Sequence, residues 1–115
     1  MIRRKNEQRV EIRQAMRGGP GETRITHYLD KEDFTAKCRL CAKLVLPPGS
    51  GIGLHDHKDE DEVYIIQQGT GEMDDNGAKI KIEAGDAIVT GKGGAHSITN
   101  TGKEDLVVTA IIIQY

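Results

Sequence analysis

Gly49-Ser-Gly-Ile-Gly-Leu-His55-Asp-His57-Lys-Asp-Glu-Asp-Glu62-Val-Tyr-Ile-Ile-Gln-Gln-Gly69 is where the fold of this chain shows most plainly. Residues two apart on a strand face the same side, so His55 and His57 present both imidazoles to one face at neighbouring heights. The polar run 58–61 has the length of a tight connection, after which Glu62 opens a second strand with Val63, Tyr64, Ile65 and Ile66. Such a hairpin brings Glu62 beside the two imidazoles. All three side chains are candidate metal ligands.

Downstream of that hairpin, turn signals recur at short intervals, the pattern of an all-β sandwich or barrel. Gly69-Thr70-Gly71 ends one strand, Asp74-Asp75-Asn76-Gly77 is a hairpin turn, and Ala78–Glu83 alternates apolar and polar residues as a half-exposed strand does. Ala84-Gly85-Asp86 leads into Ala87–Thr90, and residues 96–100 form the next strand, with His96 as a fourth candidate ligand. Residues 106–115 form a long apolar strand suited to the interior or to a subunit contact. No helix is required.

Upstream, residues 1–17 are polar, rich in Arg and Glu, and show neither a helical nor a strand period. They are expected to form an arm, with residues 1–21 as N-terminal extension and 22–115 as the barrel of one domain spanning 1–115. The breaker cluster Arg17-Gly18-Gly19-Pro20-Gly21 separates the two, and Glu22–Leu29 is a strand in its β-branched content. His27 lies on it without a sequence-local partner, as an ordinary strand histidine or as an acid-base candidate.

Composition sets the class. With 115 residues, 37% hydrophobic, 30% charged and a net charge of -2, the chain is sized for one core and carries no polyanion-binding character. No nucleic-acid partner is expected. The absence of any run of about 18 apolar residues, and of an apolar segment after Arg3, Arg4 and Lys5, leads to the expectation of a cytoplasmic protein with no membrane partner.

Three other motifs have plainer explanations. Cys38-x-x-Cys41 could be a redox pair or half a zinc site, but it sits in a strand-like run, where positions three apart face opposite sides. Two reduced structural thiols are expected. Glu72, Asp74, Asn76, Gly77 and Glu83 fall near calcium-loop offsets inside strand-like flanks, so a hairpin accounts for them. Gly91-Lys92-Gly93-Gly94 lacks the Ser or Thr of a phosphate loop and is a bend, and Asp59-Glu60-Asp61 is expected to be a solvated loop tip.

The spacings resemble a known family. Gly49, five residues, His55-x-His57, four residues, Glu62, six residues, Gly69 is similar to the first cupin motif. Gly85, five residues, Gly91, one residue, Gly93, two residues, His96, three residues, Asn100 resembles the second, with Gly91 where that motif usually has proline. The resemblance implies an antiparallel jelly-roll β-barrel holding one divalent metal through His55, His57, Glu62 and His96. Imidazole and carboxylate donors suit manganese, iron, nickel, cobalt, copper or zinc, and four ligands on a six-coordinate ion leave two positions for water or substrate. Tyr64 and Ile98 share faces with the ligands and are expected to line the cavity.

Function is less determined, because this fold hosts many reactions. One expectation is a metalloenzyme, a decarboxylase, dioxygenase or isomerase, acting on a small oxygen-rich anion or sugar-like substrate. The alternative is a non-catalytic module that binds or senses a small ligand, and a purely structural ion is the third. The chain is loosely similar to oxalate decarboxylases and oxalate-binding cupins. The large oxalate enzymes carry an arginine just ahead of the paired histidines, whereas here residues 52–54 supply no charge. Small cupins pair through sheet edges, and the apolar 106–113 run fits a homodimer.

Overall fold

A computed structural model describes residues 1–115. Ten strands and three single 3-10 turns make up the regular structure, with no α-helix. The strands are β1 (Arg9–Gln14), β2 (Glu22–Leu29), β3 (Cys38–Leu46), β4 (Gly51–Asp56), β5 (Glu60–Gln68), β6 (Thr70–Asp75), β7 (Ala78–Glu83), β8 (Ala87–Thr90), β9 (Ala95–Asn100) and β10 (Leu106–Gln114). They form two antiparallel sheets, ordered β1-β2-β3-β10-β5-β8 and β4-β9-β6-β7. The all-β jelly-roll expected from the sequence is what the chain adopts.

The apolar 106–115 run owes its composition to a central place. Strand β10 pairs with β3 on one side and β5 on the other. Its Leu106, Val108, Ala110 and Ile112 point inward and are at most 3% exposed, while Val107, Thr109 and Ile111 are half-covered on the outer face. Leu106, Val108 and Ala110 join Leu44, Leu46, Ile52, Tyr64, Ile66 and Ile98 in one apolar core between the sheets, and Ile112 lines a cavity beside it. Each fully buried Leu, Ile or Val side chain contributes about 1.5–3 kcal/mol. The Asn76-Gly77 turn has both residues at positive φ, 52° and 90°, as a two-residue hairpin requires, and Asp74 Oδ1 accepts the Gly77 N–H at 2.7 Å.

The N-terminal segment is more than an arm. Residues 9–14 pair in register with β2, from Arg9 opposite His27 to Gln14 opposite Glu22. Arg9-Val10-Glu11-Ile12-Arg13 does alternate, a short period that the surrounding charged residues obscure, and its polarity is inverted: Val10 and Ile12 face solvent, whereas Glu11 and Arg13 face a cavity rather than the core. The turn that follows lies on β4, where the Gly51 N–H donates to Pro20 O at 2.8 Å. A Cβ at Gly53 would overlap the Arg17 carbonyl, so this close approach requires glycine.

The cysteines lie on β3 as its alternation demands. Cys38 is buried on the inner side, Cys41 is half-buried on the other, and both are free thiols. Burial, and to a lesser degree Cys38, pushes the Cys41 thiol above its ordinary range, which makes it a poor nucleophile.

Candidate metal centre

Strand pairing joins the histidines, and the facing of the two sheets adds the carboxylate. β4 and β5 lie in different sheets, so Glu62 reaches the imidazoles across the barrel and not along the hairpin expected from the sequence. His55 lies opposite His96 in the β4–β9 pair, His57 follows the end of β4, and Glu62 on β5 lies opposite Thr90 on β8. The ligand atoms of His55, His57, Glu62 and His96 lie within 4.8 Å of one another. His96 Nε2 stands 3.0 Å from His57 Nε2 and 3.1 Å from His55 Nε2. Glu62 Oε1 is 2.9 Å from His96 Nε2, 3.0 Å from His57 Nε2 and 3.8 Å from His55 Nε2. Ligands about 2.1 Å from one ion and at right angles to each other are about 3.0 Å apart. Four of the five separations have that value, so the donors could hold a six-coordinate metal ion.

Each imidazole is fixed from behind by its other nitrogen. His55 Nδ1 donates to Gly53 O at 2.7 Å, His57 Nδ1 donates to Glu60 Oε2 at 2.5 Å, and His96 Nδ1 meets Thr90 Oγ1 at 2.9 Å. A nitrogen that donates to a carbonyl or carboxylate carries the proton of a neutral imidazole, so the Nε2 atoms of His55 and His57 present bare lone pairs. Glu62 Oε1 adds a third, for it is sealed from solvent and, close as the imidazoles are, none meets it in hydrogen-bond geometry. Lone pairs converging in a buried space repel unless a cation sits among them. The donor set therefore fits a divalent metal.

Residues 42–112 match the family model described as a cupin domain. The chain belongs to the cupin family. It is 47% identical over 113 residues to a Thermotoga maritima protein named as an oxalate-binding protein, covering 98% of this chain and 93% of that one. A crystal structure of a Thermotoga maritima protein described as a predicted oxalate decarboxylase superposes with a TM-score of 0.94 at 46% identity, over all of both chains. The cupin domain of Schizosaccharomyces pombe Cnp3, at 17% identity, shares the fold, with a TM-score of 0.74 over 92% of this chain and 69% of that one.

Charge in this cupin is arranged around Glu62. Burial by itself would push the Glu62 carboxyl up, but the three imidazoles outweigh it and hold the group well below the usual carboxylate range. For His57 burial disfavours the cation, yet Glu62 and Glu60 raise its pKa above the ordinary imidazole value. Proton and metal compete for the same Nε2 lone pair. Tyr64 stacks on His96 with ring centroids 5.0 Å apart and planes 15° from parallel. Burial, with the Glu62 charge nearby, drives its phenol well above the ordinary range, so it stays protonated.

Glu60 corrects an expectation. Read as part of a solvated loop tip, it is 7% exposed and starts β5, so that the connection shrinks to residues 57–59. Its carboxylate accepts from Arg39 Nε and Nη2, both at 2.8 Å, and that guanidinium holds the Glu60 carboxyl below its ordinary range. The signal was present in the alternation Glu60, Glu62, Tyr64, Ile66, all of one parity and all buried.

His55, His57, Glu62 and Tyr64 open onto a cavity of about 80 Å³. Ile98, by contrast, is 1% exposed within the core cluster and is not among the lining residues. The rim is charged, a feature without any contiguous sequence motif: Glu11, Arg13, Arg17, His27 and Arg39 all line it. His27 Nε2 meets Glu11 Oε1 at 2.8 Å, the partner that its own strand did not reveal. A larger open depression of about 590 Å³, lined by Glu72, Lys81, Glu83 and Asp86 among others, holds none of the four candidate ligands.

Proposed function

We propose that this cupin is a metalloenzyme acting on a small oxygen-rich carboxylate, with one divalent transition metal per chain bound by His55, His57, Glu62 and His96. The observation that carries this is the convergence of donor atoms at right-angle ligand spacing, with every imidazole oriented through Nδ1. When bound, the ion supplies a Lewis acid for a carboxylate in its remaining positions. The chain's own residues do the rest. Tyr64, held by stacking on His96, lines the cavity, and the His27–Glu11 pair on the rim is positioned to take or return a proton. Substrate size follows from volume, since about 80 Å³ is far below the roughly 300–1,000 Å³ of ordinary ligand pockets. A two- or three-carbon acid fits better than a sugar, in keeping with the oxalate named for the Thermotoga maritima relative.

A second reading, a receptor that binds the same anion without turnover, is favoured by one observation. Both carboxylates nearest the metal ligands and rim are engaged, Glu60 by Arg39 and Glu11 by His27 and Arg13, so no free carboxylate serves as base. The test begins with metal analysis of protein purified without added ions. Thermal-shift measurements with oxalate, malonate, glycolate and glucuronate follow, with and without the identified metal. Stabilisation by a small acid only in the metal-loaded protein supports coordination at the metal, and turnover of that acid separates enzyme from receptor. Equal stabilisation with and without metal contradicts both. Homodimerisation through the outer face of the larger sheet, where Ile65, Val89 and Ile113 stay exposed, belongs to the same proposal and is tested by mass in solution.

A further inference from the structure

We infer that Arg17 is the anion-recognition residue of this cavity and that it selects doubly charged over singly charged carboxylates. The inference rests on the metal-and-carboxylate reading above and adds to it a residue and a charge class. Three arginines line the cavity, and two are already neutralised. Arg39 grips Glu60 with two hydrogen bonds of 2.8 Å, and Arg13 donates to Glu11 at 3.2 and 3.4 Å. Arg17 makes no ion pair and no side-chain hydrogen bond, and its guanidinium is the one unmatched cation of the rim.

The backbone at Arg17 is strained in a way that its own contacts do not offset. Its φ of 53° and ψ of 27° lie in the left-handed region, and Ala15, with φ 48° and ψ 46°, lies there as well. Each costs a non-glycine residue about 1 kcal/mol or more. Surrounding bonds enforce the turn: Ala15 N–H donates to Gly21 O, Gly18 N–H to Ala15 O and Gly19 N–H to Met16 O, each at 2.9 Å. The turn is seated on Gly53, two residues before His55, with the Arg17 carbonyl where a Cβ of residue 53 would be. The stretch just ahead of the paired histidines carries no charge of its own. The N-terminal turn seats the Arg17 backbone against that stretch, and Arg17 is among the residues that line the cavity.

Charge balance then sets the ligand class. With the imidazoles neutral, a divalent ion and the Glu62 carboxylate leave one positive charge, and the Arg39–Glu60 and Arg13–Glu11 pairs add none. Arg17 raises the total to two. A dianion matches both charges, whereas a monoanion leaves the exposed Arg17 guanidinium without a ligand partner. The volume of about 80 Å³ is far below that of ordinary ligand pockets, which favours a small dicarboxylate such as oxalate or malonate.

The test measures oxalate and glycolate binding calorimetrically to zinc-loaded full-length protein at pH 8, above the usual imidazole pKa of about 6.5, at constant low ionic strength. Arg17→Gln is expected to weaken oxalate about ten- to hundredfold and glycolate less than twofold, with zinc uptake unchanged. Arg17→Lys should restore part of the oxalate affinity. Arg17→Gly relaxes the left-handed backbone, so it should melt no lower than wild type while losing the same oxalate preference, which separates recognition from folding. Equal losses for the two acids, or undiminished oxalate binding in Arg17→Gln and Arg17→Gly, would overturn the assignment of Arg17 and leave the metal reading standing. Failure of zinc-loaded wild type to bind either acid would overturn both.

Discussion

Replacing Glu60 isolates what the protein does behind a metal ligand. The Glu60 carboxylate sits 2.5 Å from His57 Nδ1 and is itself clamped by Arg39 at 2.8 Å through both oxygens, so it cannot rotate away from the imidazole. It keeps the proton on Nδ1 and turns the Nε2 lone pair toward the other donors. Loss of such a partner typically weakens metal binding about 10–100-fold, or about 1.4–2.8 kcal/mol. Glu60→Gln retains an acceptor oxygen but turns an amide toward the Arg39 fork, and about tenfold is expected. Glu60→Leu removes both functions, for about a hundredfold. The assay is competition for zinc against a chromophoric chelator at pH 7.5, with Glu72→Gln, on an exposed carboxylate, as control. Unchanged zinc affinity in both folded Glu60 variants would show that packing alone orients His57 and would refute the reasoning.

Three further outcomes follow from the geometry. His57→Ala should abolish tight metal uptake while far-UV circular dichroism still reports a β fold, whereas His27→Ala should leave uptake unchanged; equal loss from both contradicts the ligand assignment. Leu106→Ala, at a fully buried position on the central strand, should cost about 2–5 kcal/mol in urea unfolding, and a loss below about 1 kcal/mol would mean the core there collapses around the gap. The Glu11 carboxyl is held below its ordinary range, chiefly by His27 and, against some burial, by Arg13. Its contribution is therefore fully present above the unfolded value of about 4.3 and is lost as pH falls through the lower folded value. At such a solvent-accessible site it amounts to less than about 1 kcal/mol. Glu11→Gln should then cost stability at pH 7 and less at pH 3, and an equal penalty at both would refute the ion pair as its cause.

Local period and spacing carried much of this protein. The alternation that buries Glu62, Tyr64 and Ile66 together, the Asn76-Gly77 turn and the opposite facing of Cys38 and Cys41 are all consequences of a repeat of two along a strand. Glu60 obeyed the same parity and was obscured by its acidic neighbours, because local charge density says nothing about an Arg39 that arrives from 21 positions away. Strand β1 is hard to read from sequence because its inner residues Glu11 and Arg13 line a polar cavity, so the pattern that marks a core-facing strand runs backwards there.

The sequence by itself determined the strands from residue 22 onward, most of the turns and the four candidate ligand types, because backbone geometry and glycine tolerance act over a few residues. Only the tertiary structure decided that His55 and His96, 41 positions apart, place their Nε2 atoms 3.1 Å from each other, and that Glu11, Arg13 and Arg17 from the first strand and turn form the rim above them. Sheet pairing and the seating of one segment on another depend on closing the whole chain around a shared core, and no local pattern encodes which distant partner a given face will meet.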